Sequence, residues 1–242
     1  MCGRFAINHP LKEAAEIFEC NDLEEAPNRY NIAPTQPIPV VFQEFNKRQM
    51  CLMRWGFLPG WVKDPKDFSL IINAKSESVL EKPSFKSAIR HRRCIIPASG
   101  FYEWHSVGEK KTPYYIAPKN GEMLGYAGLY ETYAHANGSE IDTVCFLTTE
   151  ASSDIAAIHH RMPVLVPPKL ADVWLDCVEH SPKEVAFLYG NERNDFYNIV
   201  PVSDRVNAVR NDDADLQNRV EAEIEPDQQE IDKGSNQLSL FQ

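Results

Sequence analysis

No cysteine in this sequence stands near another. The six, Cys2, Cys20, Cys51, Cys94, Cys145 and Cys177, contain no C-x-x-C pair, so neither structural zinc nor a dithiol redox motif is expected. Five of them read as reduced and mostly packed. No stretch approaches the roughly 20 apolar residues that cross a bilayer. The N-terminus lacks the charged, apolar and small-residue succession of a signal peptide, so the expected location is the cytoplasm, without a membrane partner. Internal repeats are missing, and nothing points to a metal or an organic cofactor. Basic residues are in deficit, 25 Lys and Arg against 35 Asp and Glu, for a net charge of -10. Such a balance argues against nucleic acid, because phosphate binding is led by Lys and Arg. The distribution weakens that objection: residues 211–242 hold nine acids and two bases, so the tail carries -7 and residues 1–210 only -3.

What is present is a chain of 242 residues, 43% of them hydrophobic, enough for one generous domain with a real core. Residues 8–20, NHPLKEAAEIFEC, read as an amphipathic helix with Asn8 as cap, Pro10 in the first turn, and Leu11, Ala14, Ala15 and Phe18 on one face. A loop spans 25–39. Residues 39–45 and 50–57 are strand-like, and 58–67, rich in Pro, Gly and charge, form a loop. Further strands are expected at 70–74, 93–97, 124–133, 142–151 and 162–166, with a hairpin over 101–117. Helices are expected at 84–91, 152–160, 167–175 and 181–190. Strands dominate and are joined by hairpins, which predicts an α+β fold, a single domain over residues 2–210 built on an antiparallel sheet or open barrel with flanking helices. From 211 to 242 the composition is acidic and poor in apolar residues, so a disordered tail is expected. It ends in an apolar island, QLSLFQ.

The chain opens MCGRF. Methionine is commonly trimmed before a small residue, which would leave Cys2 with a free amine and a free thiol. Their ordinary pKa values, about 7.7–8.0 and about 8.5, give both appreciable nucleophilic fractions near neutrality. An aldehyde can condense with the amine to an imine, and the sulfur can then close a thiazolidine ring. Two other readings of the same residues stay open: Cys2 as an inert second residue, and Cys2 as the nucleophile of an N-terminal amidohydrolase or peptidase.

MCGRF, RYNIAP (29–34), WGFLPGW (55–61), IINAKSES (71–78), PASGFYEW (97–104), IHHRMP (158–163) and VPVSDRVNAVRND (200–212) occur in this order. As a set they resemble the SOS-response-associated peptidase (SRAP) family, proteins that shield abasic sites in single-stranded DNA. The resemblance spans residues 2 to about 212. It implies a thiazolidine crosslink between Cys2 and the ring-opened sugar aldehyde, with Asn73 holding the nucleophile, Glu103 transferring protons and His159, rather than His160, at the second proton-handling position. Flanked by Phe101, Tyr102 and Trp104, Glu103 is expected to be partly desolvated, with a raised pKa. His160 stands where relatives commonly have aspartate. Arg4 and Arg161 are the implied phosphate clasps, with Asn31 and the Pro34 loop shaping the pocket and Trp61 offering a stacking face. Lys75 takes a place where relatives carry arginine, keeping the charge without the bidentate fork. The basic run 86–93 extends the groove or is simply a solvated helix face. The implied partner is single-stranded DNA, or a single-strand/duplex junction, with an abasic site. The implied activity is lyase-like, and peptidase action would be limited to exposing the cysteine.

Residues 237–241, QLSLF, look like the pentapeptide with which bacterial replication and repair proteins dock on the DNA sliding clamp. Leu240 and Phe241 suit an apolar pocket and Gln237 a polar one, with Leu238 between them. A flexible linker of about 25 residues has a span of roughly 25–30 Å, enough to tether a monomeric body beside clamped DNA at a replication fork in the nucleoid.

Overall fold

The computed structural model describes residues 2–21, 23–24, 26–190 and 195–221. Among them the strands are β1 (Arg4–Ile7), β2 (Arg29–Ile32), β3 (Pro37–Glu44), β4 (Lys47–Trp55), β5 (Asn73–Lys75), β6 (Arg93–Ala98), β7 (Gly100–Val107), β8 (Lys110–Pro118), β9 (Leu124–Ala134), β10 (Glu140–Glu150), β11 (Arg161–Pro163) and β12 (Tyr197–Pro201). The helices are short: α1 (Leu11–Ile17), α2 (Ala88–His91), α3 (Ser153–Ala156) and α4 (Ala171–Leu175).

Local chemistry sets the hairpins. Phe45 and Asn46 both take positive φ (48° and 58°), the handedness a tight two-residue hairpin turn demands, and this pins Glu44 opposite Lys47 between β3 and β4. Gly108, at φ +58°, turns β7 into β8 inside the expected 101–117 hairpin. Strands β10, β4, β3, β6 and β9 are neighbours in that order, and β9 pairs with β10 again. The fold is thus α+β around a five-stranded barrel that is closed, leaving those strands no bare edge. Its pairings are antiparallel except where β10 runs parallel to β4 and to β5. A second sheet, β12-β8-β7-β1-β2, lies beside it. Phe5 of this sheet meets Trp55 and Phe146 of the barrel edge-on, with centroids 5.3 and 5.2 Å apart, so one aromatic cluster joins the two sheets.

Several boundaries differ from the sequence reading. Helix α1 begins at Leu11 with Pro10 as its N-cap and no side-chain cap. Asn8 instead donates its backbone N–H to Ser99 Oγ and its amide to Gln217. The expected loop 25–39 contains β2, and β12 lies outside every expected element. The expected helices are cut short: of 84–91 only Ala88–His91 is α-helical, and Glu184–Gly190 is 3-10.

The largest correction concerns the tail. Residues 211–221 are packed on the body and not disordered. Leu216 is fully buried beside Tyr102, Tyr115 and Val202. The Asp212 carboxylate accepts from Arg29 Nε (2.5 Å) and from the backbone N–H groups of Tyr30 (2.5 Å) and Asn31 (2.8 Å). Strand β2 is the outer strand of its sheet, and this carboxylate satisfies edge donors that no further strand reaches. Acidic composition, read as solvation, here serves a strand edge. Residues 222–242, with Gln237, Leu238, Leu240 and Phe241, lie outside the described residues.

Candidate active site

Cys2 lies two residues ahead of β1 and is fully buried. Its Sγ faces the Arg4 carbonyl at 3.7 Å, and its own carbonyl accepts from Asn73 Nδ2 at 2.9 Å. Asn73 is placed by the barrel: it opens β5 opposite Phe146 of β10, and the residue before it, Ile72, is held through its carbonyl by Trp55 Nε1 at 3.1 Å. The Asn73 Oδ1 atom is buried and has no hydrogen-bond partner among the described residues, so an acceptor beside Cys2 awaits a donor.

Glu103 lies on β7, the strand paired with β1 through Arg4 and Tyr102, and is only 3% exposed. His159 follows α3, and its Nδ1 stands 3.9 Å from Glu103 Oε1. That nitrogen lies 3.0 Å from the Arg161 backbone nitrogen and 3.2 Å from the Arg161 carbonyl oxygen, which fixes the ring at the entry to β11. His160 stacks on it with centroids 4.4 Å apart. The four residues singled out for chemistry therefore arrive from the segment before β1, from β5, from β7 and from the α3–β11 turn.

The electrostatics follow from burial. Desolvation pushes the Glu103 carboxyl up from the ordinary 4.5. It also drives the Cys2 thiol far above its ordinary value, and the nearby Glu103 carboxylate adds to the rise. His159 is shifted down, mainly by burial, and His160 mainly by the charge of His159. At neutral pH the thiol is thus protonated and the imidazole largely neutral, a combination suited to stepwise proton transfer and not to a standing thiolate.

The expected DNA contacts divide into two groups. Trp61 is 59% exposed and touches Phe68 only edge-on, centroids 5.7 Å apart. Lys75 is exposed on β5 and Pro34 is half-buried past β2. Arg4 and Asn31, by contrast, are hydrogen-bonded within the protein. Arg4 Nη1 donates to Asn31 Oδ1 (2.7 Å) and the Val206 carbonyl (2.6 Å), and Nη2 to the Asn207 carbonyl (3.1 Å). Asn31 is fully buried, with Nδ2 directed to the carbonyls of Val206, Ala208 and Asn211. These bonds tie the segment 203–221 to β1 and β2, because loop carbonyls buried against a sheet need donors. Arg161 is buried and paired with Glu77. Asp212 and Glu77 were not singled out from sequence, although both fall inside quoted motifs; one carboxylate among many gives no local signal of its partner. Among the described residues no cluster of three or more His, Cys, Asp or Glu could hold a metal ion, and no helix is long and apolar enough to cross a membrane.

Fold and site together define a barrel protein with a cysteine near its N-terminus, buried beside an asparagine, a glutamate and a histidine. The pattern of the SOS response associated peptidase (SRAP) family matches residues 1–209, and the chain belongs to that family. It is 34% identical over 221 residues to the abasic site processing protein YoaM of Bacillus subtilis, covering 89% of this chain and 97% of YoaM. With the abasic site processing protein YoqW of Bacillus phage SPbeta the identity is 33% over 221 residues, covering 89% and 98%. A crystal structure of a protein from Bacteroides thetaiotaomicron shares the fold, with a TM-score of 0.81, 23% identity, and 91% and 100% of the two chains covered.

Proposed function

We propose that this protein processes abasic sites by trapping the ring-opened deoxyribose of single-stranded DNA on Cys2 after removal of Met1. The observation that carries the reading is the Asn73 amide bonded to the Cys2 carbonyl at 2.9 Å, with the buried Glu103 within 3.9 Å of His159. Two nucleophiles on one residue are held beside two groups able to pass protons.

The α-amine attacks the C1 aldehyde carbon, and loss of one water gives an imine. The thiol then adds to the imine carbon, its proton passing to the nitrogen, and the five-membered ring closes. Glu103, whose carboxyl burial shifts up from its ordinary value, donates to the ring oxygen as the sugar opens and to the departing hydroxyl. In its ionised form it accepts the thiol proton. His159 assists at the sugar oxygen. The thiazolidine forms with net loss of one water and needs no cofactor. Exposed Trp61 stacks a base next to the lesion, and Lys75 meets phosphate. The peptidase activity in the family's name is limited here to uncovering Cys2. Docking of Gln237–Phe241 on a sliding clamp, which rests on sequence alone, would raise the local concentration of an acidic protein at DNA.

Incubating the Met1-free protein with an abasic oligonucleotide at neutral pH under reducing conditions should give a heat-stable band on a denaturing gel, and Cys2→Ala should abolish it. A band that survives that substitution, or none with the parent protein, overturns the reading.

A further inference from the structure

Arg161, one of the two expected phosphate clasps, is not free to grip a phosphate. Its Nη1 donates to Glu77 Oε1 (2.5 Å) and its Nη2 to Glu77 Oε2 (3.0 Å), a two-pronged contact, while Nη2 also reaches the Thr148 carbonyl (2.6 Å). A guanidinium offers a phosphate the same fork, so a phosphate and Glu77 compete for one pair of donors. The arginine is 5% exposed, and Thr148 anchors it from β10, so the arginine stays while its anion changes.

Glu77 has somewhere to go. Its side chain is 48% exposed, and it borders a cavity of about 380 Å³ lined also by Ser76, Thr149, Glu150, Met162 and Tyr189. The backbone beneath is fixed by the Ser76 N–H on the Thr148 carbonyl at 2.9 Å, so the side chain turns without unpairing the strand. Glu150 on the same cavity repels the displaced carboxylate and favours its return once the ligand leaves.

We propose that Glu77 is a specificity-determining residue, a built-in anion that occupies Arg161 until a DNA strand displaces it and that thereby turns away small phosphosugars. The inference rests on the abasic-site reading above. An intramolecular carboxylate acts at an effective concentration in the millimolar range, which one isolated phosphate overcomes only at comparable concentration. A strand displaces Glu77 once and gains several contacts, among them Lys75, two residues away and exposed. The chemical class excluded is the free aldehyde sugar phosphate, such as 2-deoxyribose 5-phosphate, which carries the same reactive carbon as the lesion and would consume Cys2 unproductively.

The test follows adduct formation by intact mass on the full Met1-free chain, comparing the parent, Glu77→Gln and Glu150→Gln. Three probes are used: 2-deoxyribose 5-phosphate, unphosphorylated 2-deoxyribose and an abasic oligonucleotide. Glu77→Gln should speed the reaction with the sugar phosphate by about fivefold or more, the scale of one lost ion pair. It should change the rate with plain deoxyribose, and the rate at saturating oligonucleotide, by less than about twofold. Glu150→Gln, which removes a charge from the same cavity without freeing Arg161, should change none of them. Equal gains for both variants, no gain for Glu77→Gln, or a loss with every probe would overturn the proposal while leaving the abasic-site reading intact. A parent protein that forms no adduct with the oligonucleotide removes that reading, and this inference with it.

Discussion

Replacing Asp212 by alanine tests whether the segment 203–221 is part of the working protein. The carboxylate accepts three hydrogen bonds, from Arg29 Nε and from the backbone N–H groups of Tyr30 and Asn31. The Arg29 pair is partly exposed, 32% and 25% for the two side chains, so it contributes no more than about 1 kcal/mol. The two backbone bonds go to a charged acceptor at a strand edge, and losing each costs about 1–2 kcal/mol after water recovers part of it. The sum, about 2–5 kcal/mol, is capped by the free energy that docks the segment, since the chain can peel away and expose β2 to water. Much of that docking comes from the burial of Leu216, about 2 kcal/mol. A net loss of about 2–4 kcal/mol is therefore expected, which lowers Tm by roughly 4–16 °C for a protein of this size. Asp212→Asn keeps one acceptor oxygen and should lose about half as much. The effect should also reach the chemistry, because Arg4, bonded to the Val206 and Asn207 carbonyls, is two residues from Cys2: crosslinking to an abasic oligonucleotide should slow together with the loss of stability. Urea unfolding and single-turnover gel assays measure the two. Asp212→Ala within about 0.5 kcal/mol of the parent, with an unchanged crosslinking rate, would refute the assignment of this segment to the body.

Three further outcomes are expected. Glu103→Gln should slow crosslinking while raising stability. Its carboxyl is raised by burial above the ordinary 4.5, so the parent keeps its full stability only below that value and loses some as pH rises through the raised pKa; the Tm gap between variant and parent should widen over that interval and vanish in acid. Asn73→Ala removes the 2.9 Å bond to the Cys2 carbonyl and should cut the crosslinking rate by about tenfold or more, the loss of one positioning contact, with little change in oligonucleotide affinity measured by fluorescence anisotropy. Changing both Leu240 and Phe241 to alanine should abolish capture by an immobilised bacterial sliding clamp and leave crosslinking unaltered; persistent capture would remove the clamp reading of Gln237–Phe241.

Much of the site was legible before the fold was known, because its evidence is local. Cys2 stands directly behind Met1, and Glu103 lies among aromatic neighbours from which partial desolvation was expected. The strands at 39–45 and 50–57 and the hairpin over 101–117 could be read for the same reason: apolar alternation and turn residues act between positions close in the chain. Strand β2 could not, since Arg29–Ile32 is flanked by prolines and its Tyr30 and Asn31 N–H groups are met by the Asp212 side chain.

That side chain marks where sequence stopped and tertiary structure began. The α+β class and the placement of most barrel strands follow from residue order alone, because propensity and periodicity are short-range properties. The fate of Arg4, Asn31, Arg161 and the acidic residues was settled only in three dimensions. Asp212 binds the Asn31 N–H from 181 positions away, and Glu77 meets Arg161 across 84. A charge in a sequence carries no address for its partner, so whether it is solvated, clasps a ligand or caps a strand edge depends on which surfaces the folded barrel brings together.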